Sequence, residues 1–234
     1  QPTFKISEWA PRIKAAGFDG IELWANHALL ADEAEQAALE KIPLPVAIYN
    51  SYAGFDDAGA KDRAGAVVMV KRFKAGGVKF NFGNDMKLVD IYRANLERWR
   101  KDLPADCRLL CECHGGTIME DPARAAEILK PLGSRVEIVV HAFTLEQEAL
   151  ENWFRHFGNH ITHIHAAWNV PGQGFTALHA DPARTQARLD LLRRLGFSGT
   201  ITLEFTGGCG TQDEDIEKLF DNARQDAALL RAIQ

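Results

Sequence analysis

The clearest strand of the chain ends in chemistry: Leu109-Leu110-Cys111-Glu112-Cys113-His114-Gly115-Gly116-Thr117. It opens as a short apolar run, reaches a carboxylate and an imidazole two residues apart, and breaks at two glycines. Residues i and i+2 of a strand lie on one face, so Glu112 and His114 point the same way if the strand continues to His114. A carboxylate inside an apolar run is unfavourable unless it is paired, hydrogen-bonded or bound to a metal. At the C-terminal mouth of a parallel strand, that combination marks a site. Asp121-Pro122 then supplies an N-cap and a proline at the first helical position, so a helix follows.

The same strand-then-helix unit recurs on both sides. Upstream, Ser7 reads as the N-cap of a helix to about Ala16, with Gly17 as its stop. Phe18 to Trp24 is turn and strand, Ala31 to Lys41 a helix, Pro45 to Tyr49 a strand, and Gly54 to Asp57 a loop. Ala58 to Ala75 is a helix that packs Val67, Val68 and Val70, and Val78 to Phe82 is a strand. Lys87 to Asp102 is a helix with Leu88, Ile91, Leu96 and Trp99 at helical spacing. Downstream come a helix from Asp121 to Leu132 and a strand from Val136 to Val140 that ends at His141. A helix from Leu145 to Phe157, a strand from Ile161 to His165 and a mobile loop around Gly172 and Gly174 follow. The last units are a helix from Ala183 to Leu195, a strand from Gly199 to Phe205 and a helix from Asp213 to Ala232.

Strands alternating with helices of this length imply a parallel sheet covered by helices. Eight helices and seven strands predict a single α/β domain over residues 1–234, a (β/α)8 TIM barrel whose first strand is absent from this chain or irregular. Residues 1–6 make a weak first strand because of Pro2. An open doubly wound sheet is the alternative.

Composition narrows the function. The 234 residues carry a net charge of −5 with no broad basic stripe, which argues against a duplex nucleic-acid surface. No apolar run approaches the ~20 residues of a membrane span, and the first residues lack a signal-peptide pattern. The four cysteines show no C-x-x-C spacing, and Cys111 and Cys113 share the face opposite Glu112 as small packing residues. A reducing cytoplasm is the expected location.

Four late strands end in side chains that can bind a metal: Glu112, His141, His165 and Glu204. In a closed barrel the strand ends converge at the C-terminal face, where barrel enzymes keep their active sites. Two carboxylates and two imidazoles there suit one divalent ion, with Mn, Co or Zn favoured over Mg, which prefers oxygen ligands. Glu22 and His27 lie near the same face as substrate-binding or supporting groups, and Tyr49, Asn50, Asn81 and Asn84 offer hydrogen bonds. Trp24 and Trp168 are apolar walls or core residues. His163 belongs one layer deeper than His165, and His156, His160 and His179 read as surface residues. Lys71, Arg72 and Lys74 read as a solvated helix face.

Gly17 to Trp24, the Glu-x-His of Glu112 and His114, the His-x-His of His163 and His165, and Thr202-Leu203-Glu204 resemble the xylose isomerase-like TIM barrel superfamily. That superfamily holds sugar isomerases and epimerases, inosose-processing enzymes, 3-dehydroshikimate dehydratases and endonuclease IV. The resemblance places its four metal ligands on Glu112, His141, His165 and Glu204. His141 departs from the pattern, which has Asp there and a His three residues on, where this chain has Thr144. Trp168 and Pro171 replace an Asp and the Arg of the ketose 3-epimerases.

The resemblance implies a divalent-metal-dependent isomerase or epimerase of a sugar or hydroxy-ketone, working through a metal-stabilised enediolate. Glu112 and Glu204 would flank the substrate as ligand-bases, and His114 would act as the acid or polarising group. The substrate-binding candidates are Glu22, His27, Tyr49, Asn81 and Trp168. A metal-dependent dehydratase of the 3-dehydroshikimate or inosose type is one alternative, and a non-catalytic sugar- or metal-binding barrel is another. The expected partner is a small carbohydrate-like molecule, not nucleic acid or membrane. Barrels of this kind often form homodimers.

Overall fold

The computed structural model describes residues 4–233. The chain divides into two compact units, residues 1–137 and residues 138–234.

In the first unit, helix α1 (Ile6–Ala15) leads to β1 (Ile21–Trp24), the short α2 (Ala25–Leu29) and α3 (Glu33–Leu39). Then come β2 (Val46–Asn50), α4 (Ala60–Phe73), β3 (Gly77–Phe80), α5 (Val89–Asp102), β4 (Arg108–Glu112) and α6 (Pro122–Leu129). The four strands are parallel and lie in chain order. Register assigns their faces. Trp24 pairs with Asn50, Asn50 with Lys79, and Lys79 with Leu110. Leu23, Tyr49, Val78 and Leu109 form the neighbouring row, one residue earlier on each strand, and so look the other way. Phe80 shares that second face. Trp99 of α5 packs its ring 5.4 Å from Phe55 and 6.2 Å from Phe80, so the second face is the helix-covered one.

The second unit holds β5 (Val136–Val140) from Ile138 onward, α7 (Gln147–Phe157), β6 (Ile161–Ala166), α8 (Pro182–Arg194), β9 (Thr200–Leu203) and α9 (Ile216–Ile233). Strands β5, β6 and β9 are parallel in that order. Strands β7 (Trp168–Val170) and β8 (Gly174–Thr176) form an antiparallel hairpin.

Several expectations shift. Among the described residues no strand precedes α1. Ser7 does not cap α1, which starts at Ile6. Its N–H instead donates to Glu35 Oε1 at 2.9 Å, fastening the buried carboxylate of α3. Asp121 does cap α6, accepting from the Arg124 N–H at 2.8 Å with Pro122 at the first position. Val68 is 58% exposed and Ile91 38%, while Val67, Val70, Tyr92, Leu96 and Trp99 are buried. Each of those two apolar residues adjoins the buried stripe of its helix without belonging to it. The stretch expected to be a mobile loop around Gly172 and Gly174 is the β7–β8 hairpin, where both glycines take positive φ, 78° and 74°.

Candidate metal centre

The second unit brings three of the expected ligands together. Alternation along β6 turns His163 and His165 to one face and Ile164 to the other. His141 follows β5 directly and Glu204 follows β9. The Glu204 N–H donates to the Ala166 carbonyl at 3.4 Å, which extends the β6–β9 ladder just past the strand. The Nδ1 atoms of His141 and His165 lie 3.4 Å from Oε2 and Oε1 of Glu204 respectively. The two rings are 5.0 Å apart and perpendicular.

These contacts are longer than the 2.7–3.2 Å typical of an N–H···O bond. Oε2 of Glu204 is buried and accepts no hydrogen bond. Metal–ligand bonds of about 2.0–2.1 Å in tetrahedral geometry place neighbouring donor atoms roughly 3.3–3.4 Å apart. The nitrogen-to-carboxylate spacings therefore match the edges of a coordination shell better than they match hydrogen bonds. His163 lies behind, its ring 5.5 Å from that of His165 and its Nδ1 2.7 Å from Thr200 Oγ1. That bond fixes the ring next to a ligand.

Glu112, the last residue of β4, is 2% exposed. Its Oε2 accepts from the Lys79 ammonium and from Asn81 Nδ2, the latter at 2.8 Å. Lys79 is completely buried, and its Nζ also reaches Asn81 Oδ1 at 3.4 Å. Glu112 is thus held by a buried ion pair and an amide within the first unit. Sequence reasoning missed Lys79. Its signal was the alternation Val78-Lys79-Phe80-Asn81-Phe82, which sets Lys79 and Asn81 on one face beside an apolar strand that carries one acid.

The other candidates separate. Strand β4 stops at Glu112, so His114 does not inherit its face. His114 is exposed, with Nδ1 2.7 Å from the Gly115 carbonyl. Tyr49 points to the helix-covered face, away from Lys79, and burial pushes its hydroxyl up to about 12. Asn50 takes the place expected of Tyr49. Trp168 is 1% exposed, donates to Thr185 Oγ1 at 3.1 Å and packs its ring 5.1 Å from Phe143. Its indole fills the core beneath the hairpin instead of walling a substrate pocket. Glu22 is half-buried on β1. His27 lies in α2 between Phe4 and Trp24, and burial lowers its pKa. His179 is half-buried, with its Nδ1 2.6 Å from Oδ1 of the buried Asp226.

No protein-family model and no curated protein sequence matches the chain. Solved structures do match. The apo 3-keto-D-glucoside 4-epimerase YcjR from E. coli aligns with a TM-score of 0.64 at 20% identity, over 99% of this chain and 97% of its own. The probable 3-DHS dehydratase AsbF, involved in petrobactin synthesis in Bacillus anthracis, aligns with a TM-score of 0.72 at 14% identity, over 100% and 95%. The IolI protein, solved with a bound zinc atom, aligns with a TM-score of 0.67 at 15% identity, over 100% and 95%.

Proposed function

On the xylose isomerase-like TIM barrel fold that these likenesses establish, we propose that this chain is a divalent-metal-dependent isomerase or epimerase of a carbohydrate-like hydroxy-ketone. The observation that carries the proposal is the pair of 3.4 Å spacings from Glu204 to His141 and His165. Those three residues would hold the ion. Glu112, the last residue of β4, is the fourth ligand that the resemblance implies. The mixed nitrogen and oxygen donors favour Mn, Co or Zn over Mg, and the zinc in IolI supports the same choice.

A bound divalent ion supplies Lewis-acid polarisation of a carbonyl and a neighbouring hydroxyl. The chain's own residues do the rest. Glu204, with a buried Oε2 that accepts no hydrogen bond, takes a proton from the carbon next to the carbonyl. Lys79 and Asn81 fix the orientation of Glu112, which keeps that carboxylate in one rotamer. The same first step serves a dehydratase, which then expels a hydroxyl on the next carbon. The net charge of −5 supports a small-molecule substrate over nucleic acid.

The test is a screen of metal-loaded protein with ketoses, inososes and 3-dehydroshikimate in D2O, followed by NMR. Deuterium entering next to a carbonyl, and lost in Glu204→Gln, is the expected result. Release of an enone marks the dehydratase. No exchange with any substrate overturns the proposal.

A further inference from the structure

Glu204 lies one residue past β9, and few bonds of its own hold it there. Oε2 of its carboxylate accepts no hydrogen bond, and its N–H reaches the Ala166 carbonyl only at 3.4 Å. The three residues that follow are gripped instead. Phe205 stacks on Phe175 of β8, with ring centres 4.3 Å apart. Thr206 Oγ1 donates to Oδ2 of Asp226 at 3.1 Å. The Gly207 carbonyl accepts from Asn222 Nδ2 at 2.8 Å, and a Cβ on Gly207 would lie 3.3 Å from the Ala177 N. Asp226 and Asn222 belong to α9. Asp226 is 1% exposed, and its second oxygen is engaged as well. Oδ1 accepts from the His179 N–H at 2.8 Å and faces Nδ1 of the same residue at 2.6 Å. A carboxylate only accepts, so Nδ1 carries the proton. Three donors thus converge on one buried acid that metal binding does not use.

We propose that His179 and Asp226 are positioning residues for the metal ligand Glu204, acting through the Thr206 hydroxyl. The role rests on the metal-centre reading above and adds to it the device that fixes one ligand. A buried carboxylate is unfavourable without partners, and the two His179 donors alone would serve to tie the turn Leu178–Ala180 to α9. The bond from Thr206 goes further. It joins that anchor to the segment that carries Glu204, two residues away. Asp226 therefore locks three pieces at once: the turn after the β7–β8 hairpin, α9 and the chain leaving β9. A ligand has to be held within about 0.5 Å of its working place, by neighbours that are themselves fixed. Residues behind the ligands orient them in this way, and their loss typically weakens metal binding about 10–100-fold.

The test pairs loss with rescue. Thr206→Val removes the hydroxyl and keeps the shape, and His179→Leu removes the ring donor. Thr206→Ser and His179→Asn put a donor back in each place. Zn2+ affinity of the full chain is measured by calorimetry well below each melting temperature, and amide hydrogen exchange is followed in the metal-free protein. Thr206→Val and His179→Leu are each expected to weaken Zn2+ binding at least tenfold and to speed exchange at Phe205, Thr206 and Gly207 at least tenfold. Thr206→Ser and His179→Asn are expected to stay within about threefold of wild type in both readouts. A role in stability alone lowers the melting temperature and leaves the Zn2+ affinity of the folded chain unchanged. Wild-type affinity in Thr206→Val therefore overturns the positioning role, whether or not His179→Leu folds, and so does a loss that Thr206→Ser fails to restore. Either result, with Zn2+ bound by the wild-type chain, leaves the metal reading standing. A wild-type chain that binds no Zn2+ overturns the metal reading and this role with it.

Discussion

Glu204 and Lys79 are the residues whose removal is most informative, because each touches a candidate ligand; Lys79 is fully buried and Oε2 of Glu204 is sealed from solvent. Glu204→Gln keeps the shape and removes the charge between two imidazoles, so Zn2+ affinity is expected to fall at least 100-fold by calorimetry. Lys79→Met leaves Glu112 buried without its counter-charge. That change is expected to cost about 3–5 kcal/mol in urea unfolding of metal-free protein, and Lys79→Met with Glu112→Gln to recover most of it. An unaltered midpoint in the single variant contradicts the buried pair. Tyr49 gives a pH test. Its folded pKa of about 12 lies above the ordinary 10, so its contribution is intact below pH 10 and lost as pH rises toward 12. Tyr49→Phe is expected to remove that alkaline loss and to leave stability at pH 7 equal or higher, since the hydroxyl it deletes is buried with no hydrogen bond.

At the scale of elements, the strand ends were legible because a polar residue closing an apolar run is conspicuous. The run Val136 to Val140 is both the expected and the observed strand. Helix existence was legible too, but helix phase was not. Val67 and Val68 are equally apolar, and only packing decides that one is buried and the other exposed. Val70→Ala is therefore expected to cost about 1–3 kcal/mol and Val68→Ala less than about 0.5 in denaturant melts. The hairpin escaped because its strands are three residues each, too short for periodicity to register. It is held by Phe175 stacking 4.3 Å from Phe205, beside Glu204. Gly199 precedes β9, and a Cβ there would lie 2.1 Å from the Thr162 carbonyl of β6. Gly199→Ala is expected to shift the β6–β9 ladder, lowering both the melting temperature and Zn2+ affinity; wild-type values for both contradict the tight approach.

For the molecule as a whole, alternation of strand and helix was enough to read the barrel, and the structural likenesses bear it out. No helix of the described residues is long and apolar enough to cross a membrane. Chemistry was less legible than fold: Lys79 gained meaning only when register set it on one face with Glu112, whereas Tyr49 and Trp168 lost the substrate-binding roles expected of them. Binding of an ion to the folded chain alone raises stability by mass action, about 2.7 kcal/mol at 100 times Kd. The most direct measurement is the divalent metal content of protein purified without chelator, alongside His141→Ala, His165→Ala and Glu204→Ala. The account predicts about one ion per wild-type chain and a small fraction of that in each variant. A wild-type chain that neither carries a divalent ion nor takes one up on Zn2+ or Mn2+ titration contradicts it.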